Sequence, residues 1–463
     1  MTPEGLEANY YFGGGGNTFV TPLGLAIFIA ASLLILVLPR KYAVVPFLLA
    51  GILLPLSQDL VIGGLHFMLL RLLILMGWVR VLGAAILSGQ NPLPNPMNKI
   101  DKVFLLWAVM NALTYVILWG AMGALIVKLG FLYTALGSYF LLRYLIRDRE
   151  DVIRAIKILA ILCVVIAPLM VAEHVTDRNR FAILGAHLLS EIRNGRVRAQ
   201  GPFGHPIIAG TFAAMLLPLF AGLWWQGKGY RLVAALGVAA STAMVISSSS
   251  STPVMTYLVG LLALCLWSWR DKMRFLRRGL VASLLLLQCC MKVPIWFLIA
   301  KVSALTGGTG WHRSELIDQF VRHFGEWWLV GTTQNAFWGL DMWDSINGYV
   351  NAGTEGGLIT FVLFISLLVY GYKRIGGGRK LAADNPKHER LIWAIGCCLF
   401  ANTVALFGIT YFDQSVVGWY AVLVMISAAT PFLIDHACVE ADGTELAYAA
   451  IDLAAAGPEN LSA

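Results

Sequence analysis

Long apolar runs are the feature that most restricts what this chain can fold into. Many of them reach the length of about 20 residues that a helix needs to cross a bilayer. The chain has 463 residues and is 58% hydrophobic but only 13% charged, whereas a soluble protein of this size carries roughly a quarter charged residues. The runs are continuous rather than alternating, which argues against a β-barrel. The sequence therefore predicts an all-α, polytopic transmembrane helix bundle.

The apolar runs predict about 12–13 spans, with boundaries uncertain by a few residues. The expected spans are 21–38, 43–60, 65–88, 102–119, 122–146, 152–172, 206–225, 231–248, 252–269, 278–298, 356–372, 391–408 and 415–434. The chain then divides into N-terminal transmembrane helices 1–172, a first outer loop 173–205, central transmembrane helices 206–298, a large outer loop 299–355, C-terminal transmembrane helices 356–434 and a tail 435–463.

Lysine and arginine orient the bundle, because cytoplasmic loops carry an excess of both. With the N-terminus outside, every inside connection is basic and the tail is cytoplasmic. This orientation accounts for the net charge of +8, so we expect a lipid bilayer and no nucleic acid as partner. The N-terminal stretch "MTPEGLEANYYFGGGG" has no Lys or Arg and is not expected to be a cleavable signal peptide. The seven cysteines show no metal-ligand spacing, so neither a metal nor another cofactor is predicted.

Both long loops lie on the outer side, where function is expected. The large loop contains several Trp residues, which fit either an interfacial belt or platforms for sugar stacking. Within it, "SELIDQFVRHF" predicts a short amphipathic helix that Ser314 caps.

Each outer loop presents arginine. "GRVRAQGPFGHP" carries Arg196 and Arg198 before a Gly/Pro-rich turn that includes His205, and "GWHRSELID" carries His312 and Arg313. A guanidinium group presents a planar fork of donors suited to phosphate oxygens. Arginines from two loops can therefore clamp one diphosphate, although an anchor to lipid headgroups is the alternative for each.

Two further sets of polar residues are candidates. Arg71 and Lys128 lie within predicted spans, about two turns below the outer surface, where charge is costly and usually functional. The stretch "DMWDSINGYVNAGTEGG" contains Asp344, Asn347, Tyr349 and Glu355. Glu355 is expected at a helix N-terminus, where the helix dipole alone favours an anion. Asp344 is the better candidate for a base, because no local structural rule requires it.

The order of these motifs resembles the bacterial O-antigen ligase/polymerase superfamily. The resemblance rests on "RVRAQGPFGHP" before a span, an arginine in a large outer loop, and "SINGYVNAGTEGGLI" at the end of that loop, and it covers mainly residues 190–375. It implies a metal-independent glycosyltransferase in the bacterial inner membrane. The donor would be a glycan on undecaprenyl diphosphate, and the site would face the periplasm.

The resemblance also implies roles for single residues. Arg198 and Arg313 would hold the diphosphate, and a His that precedes the family's Asn-x-Tyr/Leu would be the base. Ile346 stands in that position here. Either Asp344 or His312 then takes the role, or the protein is not a ligase. The expected catalytic residues are Asp344, His312 and Glu355, and the expected substrate-binding residues are Arg198, Arg313, Arg196, Arg71, Lys128, His205, Asn347 and Tyr349.

Four functions fit the sequence. The absent His favours a polymerase of a surface or exopolysaccharide over an O-antigen ligase that transfers glycan to lipid A-core. A flippase and a chain-length regulator are the expected protein partners. A lipid-glycan transporter without chemistry is the alternative of another class, but no internal repeat supports it. A protein O-oligosaccharyltransferase usually carries additional soluble segments.

Overall fold

The computed structural model describes residues 18–63, 65–89, 96–304, 310–342 and 346–430. It is 77% helical. The α-helices are α1 (Pro22–Val37), α2 (Arg40–Leu53), α3 (Leu69–Ser88), α4 (Lys99–Trp119), α5 (Met122–Leu145), α6 (Arg149–Thr176), α7 (Pro206–Leu223), α8 (Arg231–Ser247), α9 (Ser251–Cys265), α10 (Met273–Cys290), α11 (Leu298–Ala304), α12 (Gly310–Arg322), α13 (Phe324–Trp327), α14 (Gly348–Leu381), α15 (Pro386–Ala405) and α16 (Ser415–Ala429). Short 3-10 turns occupy Arg180–Leu184, Lys228–Tyr230, Leu266–Lys272, Ile295–Phe297 and Asn335–Trp338.

The helices suit a membrane-embedded protein. Within the described ranges, eight helical segments are long and apolar enough to cross a bilayer, and α9 and α10 together form one of them. α1 and α16 are shorter apolar helices. Each predicted span overlaps a helix, but the count of 12–13 crossings and their orientation remain predictions.

Two β-hairpins interrupt the predicted all-α architecture. Strands β1 (Asp59–Ile62) and β2 (Leu65–Met68) form the first hairpin, so the helix expected from residue 65 begins at Leu69 instead. Strands β3 (Glu191–Arg193) and β4 (Arg196–Arg198) form the second, inside the first outer loop. Its turn is Asn194-Gly195, both at positive φ. This is the Asn-Gly signature of a two-residue hairpin, and reading it would have predicted the strands.

Part of the hydrophobic core surrounds α7. Nearly every residue of α7 is buried, and the helix packs against α8, α9 and α15. In contrast, α10 buries none of its residues within the chain. A helix with apolar residues and no protein cover is the pattern expected where lipid supplies the contact.

α14 is broken rather than continuous. Gly357 has φ 71° and interrupts a helix that begins at Gly348, eight residues before the predicted span start at Gly356. The chain segment before it fills the gap: the Leu358 N–H donates to the Trp328 carbonyl and the Thr332 N–H to the Thr354 carbonyl, both at 2.8 Å. A β-carbon on residue 357 would lie 2.5 Å from the Leu329 carbonyl oxygen. Glycine is therefore required at this break.

The large outer loop contains its own small apolar cluster. α12 begins at Gly310, so Ser314 lies one turn inside the helix rather than at its cap, and its hydroxyl donates to the Gly310 carbonyl. Leu316 and Phe320 form the buried stripe of α12. They pack with Trp327, Trp338, Met342 and Val350, apart from the main core. The ring centroids of Phe320 and Trp327 are stacked 4.0 Å apart.

Candidate functional site

Arg198 ends the β3–β4 hairpin and points into the protein. Its side chain is buried, and one terminal nitrogen donates to the Glu191 carboxylate, its cross-strand partner. The other terminal nitrogen donates to Ser250 Oγ at 2.8 Å. Ser250 immediately precedes α9, so the hairpin is attached to the turn between α8 and α9.

Arg313 reaches the same turn from the other long loop. It lies in the first turns of α12 and is buried. Its Nη2 donates to Thr252 Oγ1 at 2.7 Å, and its guanidinium carbon also packs against Gly408. The two arginines that the sequence predicted as a pair therefore donate to hydroxyls only two positions apart, Ser250 and Thr252. We call Arg193, Arg198 and Arg313 the arginine cluster.

The arginine cluster holds more positive than negative charge. Burial lowers the pKa of Arg313, and the nearby positive charge of Arg193 lowers it further. Burial also lowers the pKa of Arg198, which Glu191 partly offsets. Within the described ranges no carboxylate lies at ion-pair distance from Arg313, and the Nε atoms of Arg198 and Arg313 are buried without a hydrogen-bond partner. Buried donors normally find an acceptor, so the cluster is suited to an anionic ligand.

His205 and Arg196 flank the arginine cluster in different ways. His205 caps α7, because its Nδ1 accepts the Ile207 N–H at 3.1 Å. Its Nε2 lies 3.3 Å from the Glu191 carboxylate, which therefore bridges His205 and Arg198. Arg196 is exposed on the hairpin, opposite Arg193.

A buried carboxylate that the sequence analysis missed fixes the Gly/Pro-rich turn. Glu173, in the last turn of α6, is fully buried and accepts the backbone N–H groups of Gln200 and Gly201 at 3.0 and 2.9 Å. The Ser190 hydroxyl donates to it as well, at 2.9 Å. Glu173 thus ties both ends of the hairpin region to one helix, which holds Arg198 in place.

A cavity of about 740 Å³ lies on the other side of the 406–414 loop. The predicted intramembrane cations Arg71 and Lys128 line it together with Glu355. Its aromatic wall comprises Trp107, Tyr115, Trp119, Phe131, Phe364, Tyr411, Phe412, Trp419 and Tyr420. This size and this mixture of aromatic and polar groups are typical of small-molecule sites.

Lys128 and Glu355 form an ion pair across the cavity wall. Lys128 Nζ lies 2.9 Å from Glu355 Oε2 and 2.9 Å from Asn111 Oδ1, and it stands over the Tyr115 ring at 4.0 Å. Glu355 is inside α14, just before the break at Gly357. A second helical segment starts after this break, so Glu355 lies at the end of the first segment and next to the start of the second. Lys128 supplies the balancing charge.

Arg71 is held differently. Its Nη1 donates to the His66 carbonyl at 2.9 Å and its Nε to Thr134 Oγ1 at 3.3 Å. No carboxylate of the described chain lies within ion-pair distance of it. Of the two cations that line the cavity, Lys128 is therefore balanced by a carboxylate, whereas the described hydrogen bonds of Arg71 go to neutral acceptors.

Asp413 is a second carboxylate on the cavity wall that the sequence analysis missed. It accepts the Gly204 N–H at 2.9 Å and the Ser415 N–H at 2.8 Å, and burial raises its pKa despite these bonds. Its loop also contains Gly408, which touches Arg313. One short loop therefore contacts both the arginine cluster and the cavity. A lone acid in the apolar outer connection "FGITYFDQ" was the available signal.

The remaining predicted residues have structural partners or lie elsewhere. Asn347 caps α14 through Oδ1, which accepts from Tyr349 N and Val350 N, and the Tyr349 hydroxyl donates to the Thr403 carbonyl at 2.7 Å. His312 is half-buried beside Arg313 and is not among the described residues of the cavity wall. Asp344 lies outside the described residues.

Among the residues described, no group of three or more His, Cys, Asp or Glu side chains is arranged to hold a metal ion. No protein-family model matches the chain, and no curated protein matches it.

Proposed function

We propose that this protein is a membrane glycosyltransferase of the O-antigen ligase/polymerase type, and that it polymerises a surface or exopolysaccharide. It would move a glycan from undecaprenyl diphosphate to an acceptor sugar hydroxyl at the periplasmic face of the bacterial inner membrane. The observation that carries the proposal is the convergence of Arg198 and Arg313. The two guanidinium groups are buried, come from separate loops, and each has an Nε–H without an acceptor among the described residues. Glu191 pairs with Arg198 alone of the two. This excess of positive charge matches a diphosphate.

The chemistry follows from this match. The acceptor hydroxyl attacks the anomeric carbon, the carbon–oxygen bond to the lipid diphosphate breaks, and the diphosphate leaves with the bonding electrons. Preorganised donors at a developing charge contribute about 2.7–4 kcal/mol each in a water-poor site. Arg198 and Arg313 would supply them. The aromatic cavity would hold the sugars, whose apolar faces stack on such rings.

The hydroxyl proton needs an acceptor, and Asp413 is the best placed of the described carboxylates. It lines the cavity, and its loop touches Arg313. Its raised pKa brings it closer to the operating pH, where a general base is most effective. The Glu355 carboxylate already accepts from Lys128 Nζ, so an ion pair occupies it. Asp344 and His312 are the alternative bases.

A transporter is the second candidate, and the break in α14 favours it. Discontinuous helices with nearby charges are typical of transporter sites, and Glu355 and Lys128 lie beside Gly357. An O-antigen ligase differs from the polymerase only in its acceptor, lipid A-core in place of a growing glycan.

Purified protein in lipid nanodiscs, supplied with an undecaprenyl-diphosphate oligosaccharide, distinguishes these functions. We expect a ladder of longer glycans and release of undecaprenyl diphosphate, measured by gel electrophoresis and mass spectrometry. A single addition that requires lipid A-core indicates a ligase. The absence of any new glycosidic bond with either acceptor, together with movement of the lipid-linked glycan across proteoliposomes, would overturn the enzyme proposal. A chelator is expected to leave the rate unchanged.

Asp413→Asn tests the base. We expect turnover to fall by about 10²–10⁴-fold, while Asp344→Asn serves as the competing variant; the larger loss identifies the base.

Because folding raises the pKa of Asp413, the protonated carboxyl stabilises the fold below its ordinary pKa. This stabilisation is lost as pH rises through the raised value. The melting temperature of Asp413→Asn should therefore fall less than that of the wild type over this window. Equal pH profiles would contradict the role of burial.

A further inference from the structure

A second pocket lies at the opposite end of the bundle. It has a volume of about 320 Å³ and lies between the end of α5, the start of α6, the basic half of α14, the start of α15 and the end of α16. Its arginines belong to the basic segments that orient the protein, so in the predicted topology it opens at the cytoplasmic face. It is separate from the cavity and the arginine cluster, which contain none of its residues.

Positive charge dominates the described wall of this pocket. Four guanidinium groups line it, those of Arg143, Arg147, Arg149 and Arg374, against the single carboxylate of Asp148. Arg143 is balanced from behind the wall by Asp101, at 3.3 Å. Arg374 is buried and fixed by the end of α16, with its Nε donating to Thr430 Oγ1 at 2.7 Å. The wall is therefore both basic and rigidly held.

Within the part of the chain that the structure describes, three buried polar atoms of the same wall lack a hydrogen-bond partner. They are Arg149 Nε, His388 Nδ1 and Ser427 Oγ. Arg149 is held only through Nη2, which donates to Gln226 Oε1 at 3.0 Å. Buried polar atoms are nearly always hydrogen-bonded, and three orphans around one basic pocket indicate a missing polar ligand with several acceptor oxygens.

We infer that this pocket binds a phosphate group, and that the phosphate belongs to the headgroup of an anionic membrane lipid. Phosphate oxygens accept the forked donors of arginine and the hydroxyl of Ser427. Basic pockets between helices at the cytoplasmic surface bind anionic headgroups in this way. A free cytoplasmic phosphate shares the chemistry, so the two sources need separate measurements. The inference does not depend on the proposed function.

Melting temperature reports the binding, because a ligand that binds only the folded state stabilises it. The delipidated full chain in detergent is titrated with phosphatidylglycerol, phosphatidylcholine or inorganic phosphate, and unfolding is followed by tryptophan fluorescence. We expect a saturable rise with phosphatidylglycerol and a smaller one with phosphatidylcholine, whose choline cation the arginines repel. An equal rise with inorganic phosphate would assign the site to a soluble phosphate instead of a lipid.

Two variants localise the effect. Arg149→Gln should need about tenfold more phosphatidylglycerol for half of the shift. Ser427→Ala should melt at or above the wild-type temperature without lipid, because it removes an orphaned hydroxyl, yet respond less to the lipid. Arg278→Gln removes an exposed arginine of α10 that the predicted topology places on the same face, and it should behave as the wild type does. Wild-type midpoints for both Arg149→Gln and Ser427→Ala would overturn the inference.

Discussion

The arginine cluster and the cavity differ in how they treat a buried cation. Among the described residues, the polar and charged neighbours of Arg313 are the Thr252 hydroxyl and the like charge of Arg193. Lys128, also buried, has the Glu355 carboxylate, the Asn111 amide and an aromatic face around it. An unbalanced buried charge is costly unless a ligand completes it. The cluster is therefore incomplete without an anion, whereas the Lys128 site is complete within the protein.

Under the proposed function, this difference would divide the work of the transferase between two neighbouring sites. A permanent anion such as a diphosphate fits the arginine cluster, and neutral sugars fit an aromatic cavity whose lysine is already balanced. The loop 406–414 touches both, through Gly408 on one side and Asp413 on the other. The bond that is exchanged would lie where these two environments meet.

The largest expected effect follows from removing the unbalanced cation. Arg313→Ala should lower the rate of product formation by about 10²–10³-fold, the cost of losing one preorganised donor. The melting temperature without substrate should stay the same or rise, because burial of an unpaired charge is relieved. Both quantities can be measured on the same purified sample.

Arg322→Ala is the matched control. It lies in the same helix, but its side chain is 68% exposed and it pairs with Asp318 at 2.6 Å. We expect near-normal rates from it. Normal rates from Arg313→Ala would show that the cluster is structural and would remove the distinction drawn between the two regions.

The sequence predicted this pairing of arginines because chemistry and topology agreed. Both residues lie in long loops that the predicted topology places on one side of the bundle, and guanidinium groups suit phosphate oxygens. The sequence did not predict what holds them. Glu173, Ser250 and Thr252 are separated from the arginines by up to 61 positions, and only the packing of α6, α9 and α12 brings them together.

The break at Gly357 lies beside Glu355 in the cavity wall and not in the arginine cluster. Gly357→Ala should lower the free energy of unfolding by about 1–3 kcal/mol, because alanine is strained at φ 71° and its β-carbon would press on the Leu329 carbonyl. Gly376→Ala, in the same helix and open to solvent, should raise it by up to about 1 kcal/mol. A loss of the same size at both positions would mean that helix propensity, and not the break, determines the result.

The break also shows what the sequence did not predict around Glu355, namely the helical segment that precedes it. Apolar periodicity begins after Gly356, so the sequence predicted a helix start there and a role for the helix dipole. The backbone instead forms a turned helix before that point, fixed by Asn347 as its cap. Sequence periodicity detects burial against lipid or core, and it does not detect a short helix that packs against a loop.

The balanced pair can be tested with a double-mutant cycle. Lys128→Met and Glu355→Gln should couple by about 1 kcal/mol in melting experiments. The coupling is modest because the Glu355 side chain is 39% exposed and water screens it. Lys128→Met combined with Glu326→Gln, whose carboxylate instead accepts from Trp338 Nε1, should show none. Zero coupling for the first pair would mean that Lys128 is as unbalanced as Arg313.

The smallest effect is expected from the arginine that the hairpin exposes. Arg196 lies two positions before Arg198 and on the same strand, but it is in solvent and faces Arg193 across the hairpin. Arg196→Ala removes one of two like charges that repel each other weakly. The rate should therefore change by less than about twofold, and the free energy of unfolding by less than about 0.5 kcal/mol. Arg198→Ala, made in parallel, should behave like Arg313→Ala. If instead Arg196→Ala is as inactive as Arg198→Ala, the charge of the whole hairpin binds the anion, and the buried, unbalanced arginines alone do not account for the binding.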